Sequence, residues 1–151
     1  MFAQRIFIVI RKAELQDIPD IVAIENASFP MPWLDFLFKS HLEDPGFVVY
    51  EENDTIQGYL IVGDFDGKGH IMSIAVGPDF RRKDVGSKLV KWCMETLNFY
   101  GYDEVTLEVR ASNLAAQEFY IANGFQEKEL VKAYYIDEDA IVMGKRIDLD
   151  S

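Results

Sequence analysis

The sequence predicts an α/β sandwich built around one mixed sheet, and three features point there. Apolar residues switch between strand and helical spacing along the chain, two strand–loop–helix units occupy its middle, and further strand-like segments stand on both sides of them. The 151 residues suit one domain, since domains commonly run roughly 100–200 residues. Hydrophobic residues at 49% and aromatics at 13% supply a single buried core. Residues 1–151 are therefore read as one domain, without repeat, low-complexity tract or linker.

The start, residues 1–10, is apolar but short and carries Arg5. A signal peptide needs a longer apolar stretch and a small-residue cleavage site, so residues 5–10 read as a first strand. Residues 14–27 place Leu15, Ile18, Ile21, Val22 and Ile24 at the spacing of an amphipathic helix, with Pro19 tolerable near its start and Asp17 positioned as a cap. Pro30 and Pro32 end it, and a second short helix is expected over 34–42. Residues 47–51 and 57–63 read as strands joined through the turn residues Asn53 and Asp54. A turn over 64–69 leads to a strand over 70–76, a polar loop over 77–84, and a helix reaching about residue 100. Leu89, Val90, Cys93, Met94 and Leu97 give that helix its buried stripe, and Gly101 ends it. A strand over 105–109, a helix over 113–123 stopped by Gly124, and a hairpin of strands 132–136 and 140–146 complete the chain.

Charge and composition exclude several functions. A net charge of −11 argues against a general nucleic-acid binder, which needs a basic surface. It equally suits simple solubility or attraction of basic peptides and polyamines. No apolar run approaches the ~20 residues needed to span a bilayer. The single cysteine, Cys93, cannot form an internal disulfide and sits on an apolar helical stripe, where a small core residue is a simpler reading than a nucleophile. The two histidines are far apart and no Cys/His/Asp cluster has ligand spacing, so no metal is expected. A cytoplasmic protein, monomeric or weakly dimeric, is expected.

The most informative local feature is the loop Val76-Gly77-Pro78-Asp79-Phe80-Arg81-Arg82-Lys83-Asp84-Val85-Gly86-Ser87, between a strand and a helix. Three successive cations precede a helix start, whose first N–H groups lack intrahelical partners and carry the positive end of the dipole. That is the make-up of an anion site. Gly86 lets a phosphate approach the backbone, and Ser87 adds a hydroxyl. The spacing fits neither a Walker A loop nor the dinucleotide fingerprint. Composition alone leaves open a solvated basic turn.

Taken with the segments around it, the loop resembles the pyrophosphate-binding R/Q-x-x-G-x-G/A segment of GCN5-related N-acetyltransferases, with Arg81 first and Gly86 last. The run from Leu107-Glu108-Val109-Arg110 through Asn113 to Phe119-Tyr120, then Asn123-Gly124-Phe125, is similar to the second signature of that family. It looks most like the branch that acetylates protein N-termini, the RimI-type enzymes and eukaryotic catalytic subunits. Residues 69–76, Tyr134-Tyr135 and Glu138-Asp139-Ala140 match the same branch, and the likeness runs from Ile10-Arg11 to Met143. The one departure is Asp84, which stands where the family has its first loop glycine.

The resemblance implies a mostly antiparallel mixed sheet with a splay between two parallel middle strands, flanked by about four helices. It implies acetyl-CoA as cosubstrate, with the pantetheine arm along the main chain of Ile74 and Val76 and near Asn113. Arg81, Arg82, Lys83, Val85, Gly86 and Ser87 would line the pyrophosphate. Acetyl transfer needs a neutral amine, a stabilised tetrahedral intermediate and a proton for the leaving thiolate. Glu108, otherwise a solvent-facing strand carboxylate, is the expected base. His70, otherwise a structural histidine near a turn, is expected to share its water. Tyr120, otherwise core packing, is the expected acid. Phe29, Pro30, Met31 and Trp33 would shape the pocket for the first substrate residue, and Tyr134 and Tyr135 would hold the peptide backbone; a satellite hydrophobic cluster is the other reading of both groups. The expected partners are protein or peptide N-termini, ribosomal proteins among them. A small amine or lysine acceptor, or a non-catalytic acetyl-CoA-binding module, are the competing readings.

Overall fold

The computed structural model describes residues 7–147. In chain order it forms β1 (Ile8–Lys12), a 3-10 turn (Leu15–Asp17), α1 (Ile18–Ser28), α2 (Asp35–Ser40), β2 (Phe47–Glu52), β3 (Thr55–Phe65) and β4 (Lys68–Val76). A second 3-10 turn (Pro78–Phe80) precedes α3 (Val85–Phe99), β5 (Glu104–Arg110), α4 (Leu114–Ala122), β6 (Gln126–Val131) and β7 (Ala140–Arg146). The strands hydrogen-bond in the order β1-β2-β3-β4-β5-β7-β6 as one seven-stranded sheet. β4 and β5 run parallel, and the pairs β1–β2, β2–β3, β5–β7 and β6–β7 are antiparallel. The mixed, mostly antiparallel sheet with four α-helices is the architecture expected from the sequence. Among the described residues no helix is long and apolar enough to cross a membrane.

Internal contacts divide the chain into two compact units. The first comprises the residues up to Gly63 together with Met72–Cys93. Its core sets Ile18, Ile21 and Ile24 of α1 and Phe38 of α2 against Phe47 and Val49 of β2 and Tyr59 and Ile61 of β3. The three isoleucines recur at helical spacing, which is why α1 buries that stripe. Leu15, expected on the stripe, is instead exposed. Asp17 makes no side-chain cap to α1. Its buried carboxylate accepts from both terminal nitrogens of Arg11, at 2.8 and 3.0 Å, and from the Glu14 amide at 2.8 Å. A bidentate guanidinium is a stronger partner than a helix-end amide.

Asn53 and Asp54, with φ of 51° and 65°, turn the β2–β3 hairpin in the left-handed conformation such two-residue turns require. One register shift follows, where Tyr50 faces Gly58 but Glu51 faces Ile56, so that Gln57 is the extra residue of a bulge. The Gln57 carbonyl accepts from the Gly77 amide at 2.8 Å and fixes the exit of β4. Gly58 permits close approach here. A Cβ at this position would lie 3.0 Å from the Ala75 carbonyl oxygen and 3.2 Å from the side chains of both Val85 and Leu89.

The second unit comprises Asp64–Ile71 and the residues from Met94 onward. Along β5, Val105, Leu107 and Val109 are buried, while the residues between them are half-exposed. The β5–β7 register is unbroken from Glu104↔Arg146 to Arg110↔Ala140. Gly101 and Gly124, at φ of 86° and 93°, end α3 and α4 as expected. The strand expected over 132–136 does not form. Ala133 has φ 54°, which removes it from extended backbone, and its amide donates to Asp139 Oδ1 at 2.8 Å. The strand pairing with β7 is β6, whose Gln-Glu-Lys-Glu-Leu-Val sequence is almost wholly exposed at the edge of the sheet and lacks an apolar alternation. The expected strand of residues 5–10 begins outside the described residues, and β1 continues to Lys12.

Gly58→Ala is expected to lower stability by about 1–3 kcal/mol, because the nearest obstacle is backbone and cannot swing aside. Urea unfolding of the two forms measures it.

Candidate active site

The parallel register pairs Gly69 with Val105 and His70 with Thr106. Side chains alternate along a strand, so Glu108, two residues past His70's partner, projects from the same face as His70. Glu108 Oε2 stands 2.6 Å from His70 Nε2. The side chains are 21% and 18% exposed respectively, so the pair is partly open to solvent and partly shielded from it. The Phe65 ring, 5.5 Å from the imidazole, covers one side of it. A carboxylate and an imidazole in direct contact can accept a proton, share it, or orient a water between them and an amine.

Tyr134 and Tyr135 belong to the loop over 132–139. Burial, the Glu108 charge and a hydrogen bond to Glu108 raise the Tyr134 phenol above its ordinary value. Burial first, then the neighbouring Tyr134, push Tyr135 up to about 12, and the Arg110 guanidinium, 4.3 Å above its ring, partly opposes them. Tyr120, in the last turn of α4, is buried and packs edge-on to Phe119 and Phe125, with ring centroids at 5.2 and 5.5 Å. Burial and then Tyr135 raise its phenol well beyond the usual range, so it holds its proton at neutral pH. His70, Glu108, Tyr134, Tyr135 and Tyr120, read separately from the sequence, therefore form one linked cluster.

Three residues without an assigned role in the sequence hold this loop. Arg110 Nη1 reaches Asp137 Oδ1 at 2.7 Å and Glu138 Oε1 at 3.1 Å. Ser112 donates to Glu138 through its hydroxyl at 3.0 Å and its amide at 3.2 Å. The Ala111 amide donates to the Asp139 carbonyl at 3.0 Å, and the Tyr135 amide to the Glu138 carbonyl at 3.0 Å. The available signal was Arg110 two residues after Glu108 on β5, with complementary Asp137 and Glu138 just before β7.

In the first unit, the loop after β4 presents Arg81, Arg82 and Lys83 as exposed cations. Arg81 donates through Nε to the Val76 carbonyl and through Nη2 to Ser28 Oγ, both at 3.2 Å. Arg82 and Asp84 are left-handed, at φ of 72° and 62°. This accounts for Asp84 at a family glycine position: the backbone needs a conformation that glycine adopts freely and aspartate tolerates better than most residues. The Asp84 carbonyl accepts from the Lys88 amide at 3.0 Å and closes the first turn of α3. The amides of Val85, Gly86 and Ser87 thus precede the helical ladder, and with three cations they have the donor chemistry of a diphosphate site.

Asn113 Oδ1 caps α4 by accepting from the Ala116 amide at 3.1 Å. Phe29 and Trp33 pack against the core cluster, whereas Pro30 and Met31 are exposed. Trp33 also stacks on His41, with ring centroids 5.7 Å apart. Cys93 is buried and its thiol is pushed up to about 12 by burial, the condition of an inert core residue. Among the described residues no group of three or more His, Cys, Asp or Glu stands ready for a metal ion.

The profile of the acetyltransferase (GNAT) family matches residues 16–125. The chain belongs to this family. An N-alpha-acetyltransferase of Saccharolobus solfataricus is 31% identical over 152 aligned residues, covering 90% of this chain and 91% of the relative. The [ribosomal protein bS18]-alanine N-acetyltransferase of Escherichia coli is 30% identical over 146 residues, covering 93% and 98%. The crystal structure of Ard1 from Thermoplasma volcanium superimposes with a TM-score of 0.88 at 28% identity, over 93% of this chain and 98% of that one. The seven-stranded sheet with its one parallel pair is thus the GNAT fold. The short β4–β5 register, confined to the starts of both strands, is what its splay requires.

The raised Tyr120 phenol has a consequence for stability. Above the ordinary phenol value of about 10, the unfolded chain releases a proton that folded Tyr120 keeps, so stability falls as pH rises. Tyr120→Phe removes this loss. Urea midpoints at pH 9 and 11 should shift in favour of the variant at the higher pH.

Proposed function

We propose that this acetyltransferase moves the acetyl group of acetyl-CoA onto the N-terminal α-amine of other protein chains, acting as a single domain over residues 1–151. The observation that carries the reading is the cluster in which Glu108 meets His70 at 2.6 Å and the Tyr134 phenol, beside the protonated Tyr120. Its relatives support it, since they are named for α-amine or alanine N-acetylation. An α-amine has a reference pKa of about 7.7–8.0, against about 10.4 for lysine. A carboxylate–imidazole pair working through a water suffices for the first.

In this reading Glu108, with His70, takes the proton from the incoming ammonium. Tyr134 and Tyr135 hold the peptide backbone, and Phe29, Pro30, Met31 and Trp33 shape the pocket for its first residue. Arg81, Arg82, Lys83 and the amides of Val85, Gly86 and Ser87 bind the diphosphate of acetyl-CoA, which supplies the activated acetyl thioester. Ile74 and Val76 offer main-chain groups to the pantetheine arm. Asn113, whose oxygen is taken by the helix cap, offers it the side-chain N–H. The amine attacks directly in a ternary complex, and Tyr120 gives its proton to the departing thiolate. The buried, protonated Cys93 offers no route to an acyl-enzyme. The substrates are ribosomal or other cytoplasmic proteins, and the enzyme works as a monomer or weak dimer.

Incubation with acetyl-CoA and a panel of peptides, lysine-blocked peptides and polyamines, read by mass, should place acetate on α-amines alone. Transfer only to lysine or polyamine would overturn the reading. Glu108→Gln and Tyr120→Phe should each lower kcat on the order of 100-fold; unchanged turnover in either removes that residue's role. Asp84→Gly should tighten acetyl-CoA binding, because it removes a carboxylate from the diphosphate loop and suits the left-handed backbone. Equal calorimetric dissociation constants for the two forms would refute that.

A further inference from the structure

Glu25 is 2% exposed and sits in the last turn of α1. Both facts disfavour a carboxylate: burial removes its hydration, and the negative end of the helix dipole repels it. An apolar residue would pack there at lower cost. What the carboxylate does instead is accept hydrogen bonds. Oε2 accepts from the Trp33 amide at 2.8 Å, and Oε1 accepts from the Tyr59 hydroxyl and, at 3.4 Å, from Ser73 Oγ. The Tyr59 and Ser73 hydroxyls stand 2.9 Å apart. The backbone carbonyl of the same Glu25 accepts from the Phe29 amide at 3.1 Å.

One residue therefore pins both ends of the segment Phe29-Pro30-Met31-Pro32-Trp33. Pro30 and Pro32 have no N–H to offer. Beyond Phe29, the segment has only the Met31 and Trp33 amides as backbone donors, and Glu25 takes the second. On the other side the carboxylate is tied through Tyr59 to β3 and through Ser73 to β4, one residue before Ile74.

We propose that Glu25 is a positioning residue for substrate selection, holding residues 29–33 in the one backbone arrangement that shapes the pocket for the first substrate residue. The proposal rests on the functional reading above for that pocket; the pinning itself does not. Glu25→Ala and Glu25→Gln are compared in the full chain. Glu25→Ala should speed hydrogen exchange of the Trp33 amide by about tenfold or more. It should also raise KM for a good peptide about tenfold and flatten the preference among first residues, with kcat changed less than about twofold. The dissociation constant for acetyl-CoA should stay as in the parent protein. Glu25→Gln, whose amide oxygen still accepts from Trp33, should restore most of the exchange protection and the peptide preference.

Freed exchange at Trp33 with KM and first-residue preference unchanged would overturn the proposal, as would Trp33 exchange that does not respond to Glu25→Ala. If Glu25→Ala does not fold, Tyr59→Phe, which removes one support of the carboxylate, should produce the same changes in smaller degree, and their absence is equally fatal. A parent enzyme that acetylates no peptide α-amine fails the functional reading, whereas the Trp33 exchange experiment still decides the pinning.

Discussion

Parallel strands hold their side chains in fixed relation only as far as their backbone pairing runs, and here the β4–β5 pairing is confined to Gly69–Val105 and His70–Thr106. The short register does two things. It puts Glu108 on the face of His70 and within direct contact of it. It also ends at once, although β4 continues to Val76 and β5 to Arg110. A register displaced by one residue would turn Glu108 to the opposite face, among Leu107 and Val109. The unbroken pairing of β5 with β7 guards against that slip.

Around this pair the second unit is stiffened by charge rather than by regular structure. The loop carrying Tyr134 and Tyr135 has no strand ladder, and its conformation is set by Arg110, Ser112 and the Asp137–Asp139 acids. The contacts of Arg110 are charge-assisted, and its guanidinium also covers the Tyr135 ring. The same arginine thus places a phenol and partly offsets the rise that burial and the neighbouring Tyr134 impose on it. Glu108 raises both tyrosine phenols, and Tyr135 in turn raises that of Tyr120, so a loop without secondary structure is part of the electrostatics of the cluster.

The parts of this architecture legible in the sequence are those governed by periodicity and by backbone chemistry. The alternation of Val105, Leu107 and Val109, the helical stripe of Ile18, Ile21 and Ile24, and the stops at Gly101 and Gly124 correspond to what the structure contains. The error over 132–136 came from a run of β-favouring aromatics whose fate is decided by distant acids, while the true edge strand, Gln126–Val131, is charged and lacks the alternation a half-buried strand displays. The link between Glu108 and His70 could be anticipated only through family likeness, because a parallel register between segments 38 residues apart leaves no local trace. Glu25 was hidden for the opposite reason. It stands beside Ile24 in an apolar helix, where an acid reads as a solvated residue on the outer face, and only the fold reveals that it points inward.

The way residues 29–33 are attached bears on how such an enzyme can diversify. Both anchor points are backbone amides, Phe29 and Trp33, and both are received by Glu25. Main-chain anchors are indifferent to the side chains between them. Changes at the exposed Pro30 or Met31 can therefore alter the size and polarity this segment presents while its backbone frame stays as it is. Under the proposed roles, a fold built this way separates the evolution of what is acetylated from the preservation of how acetylation is done.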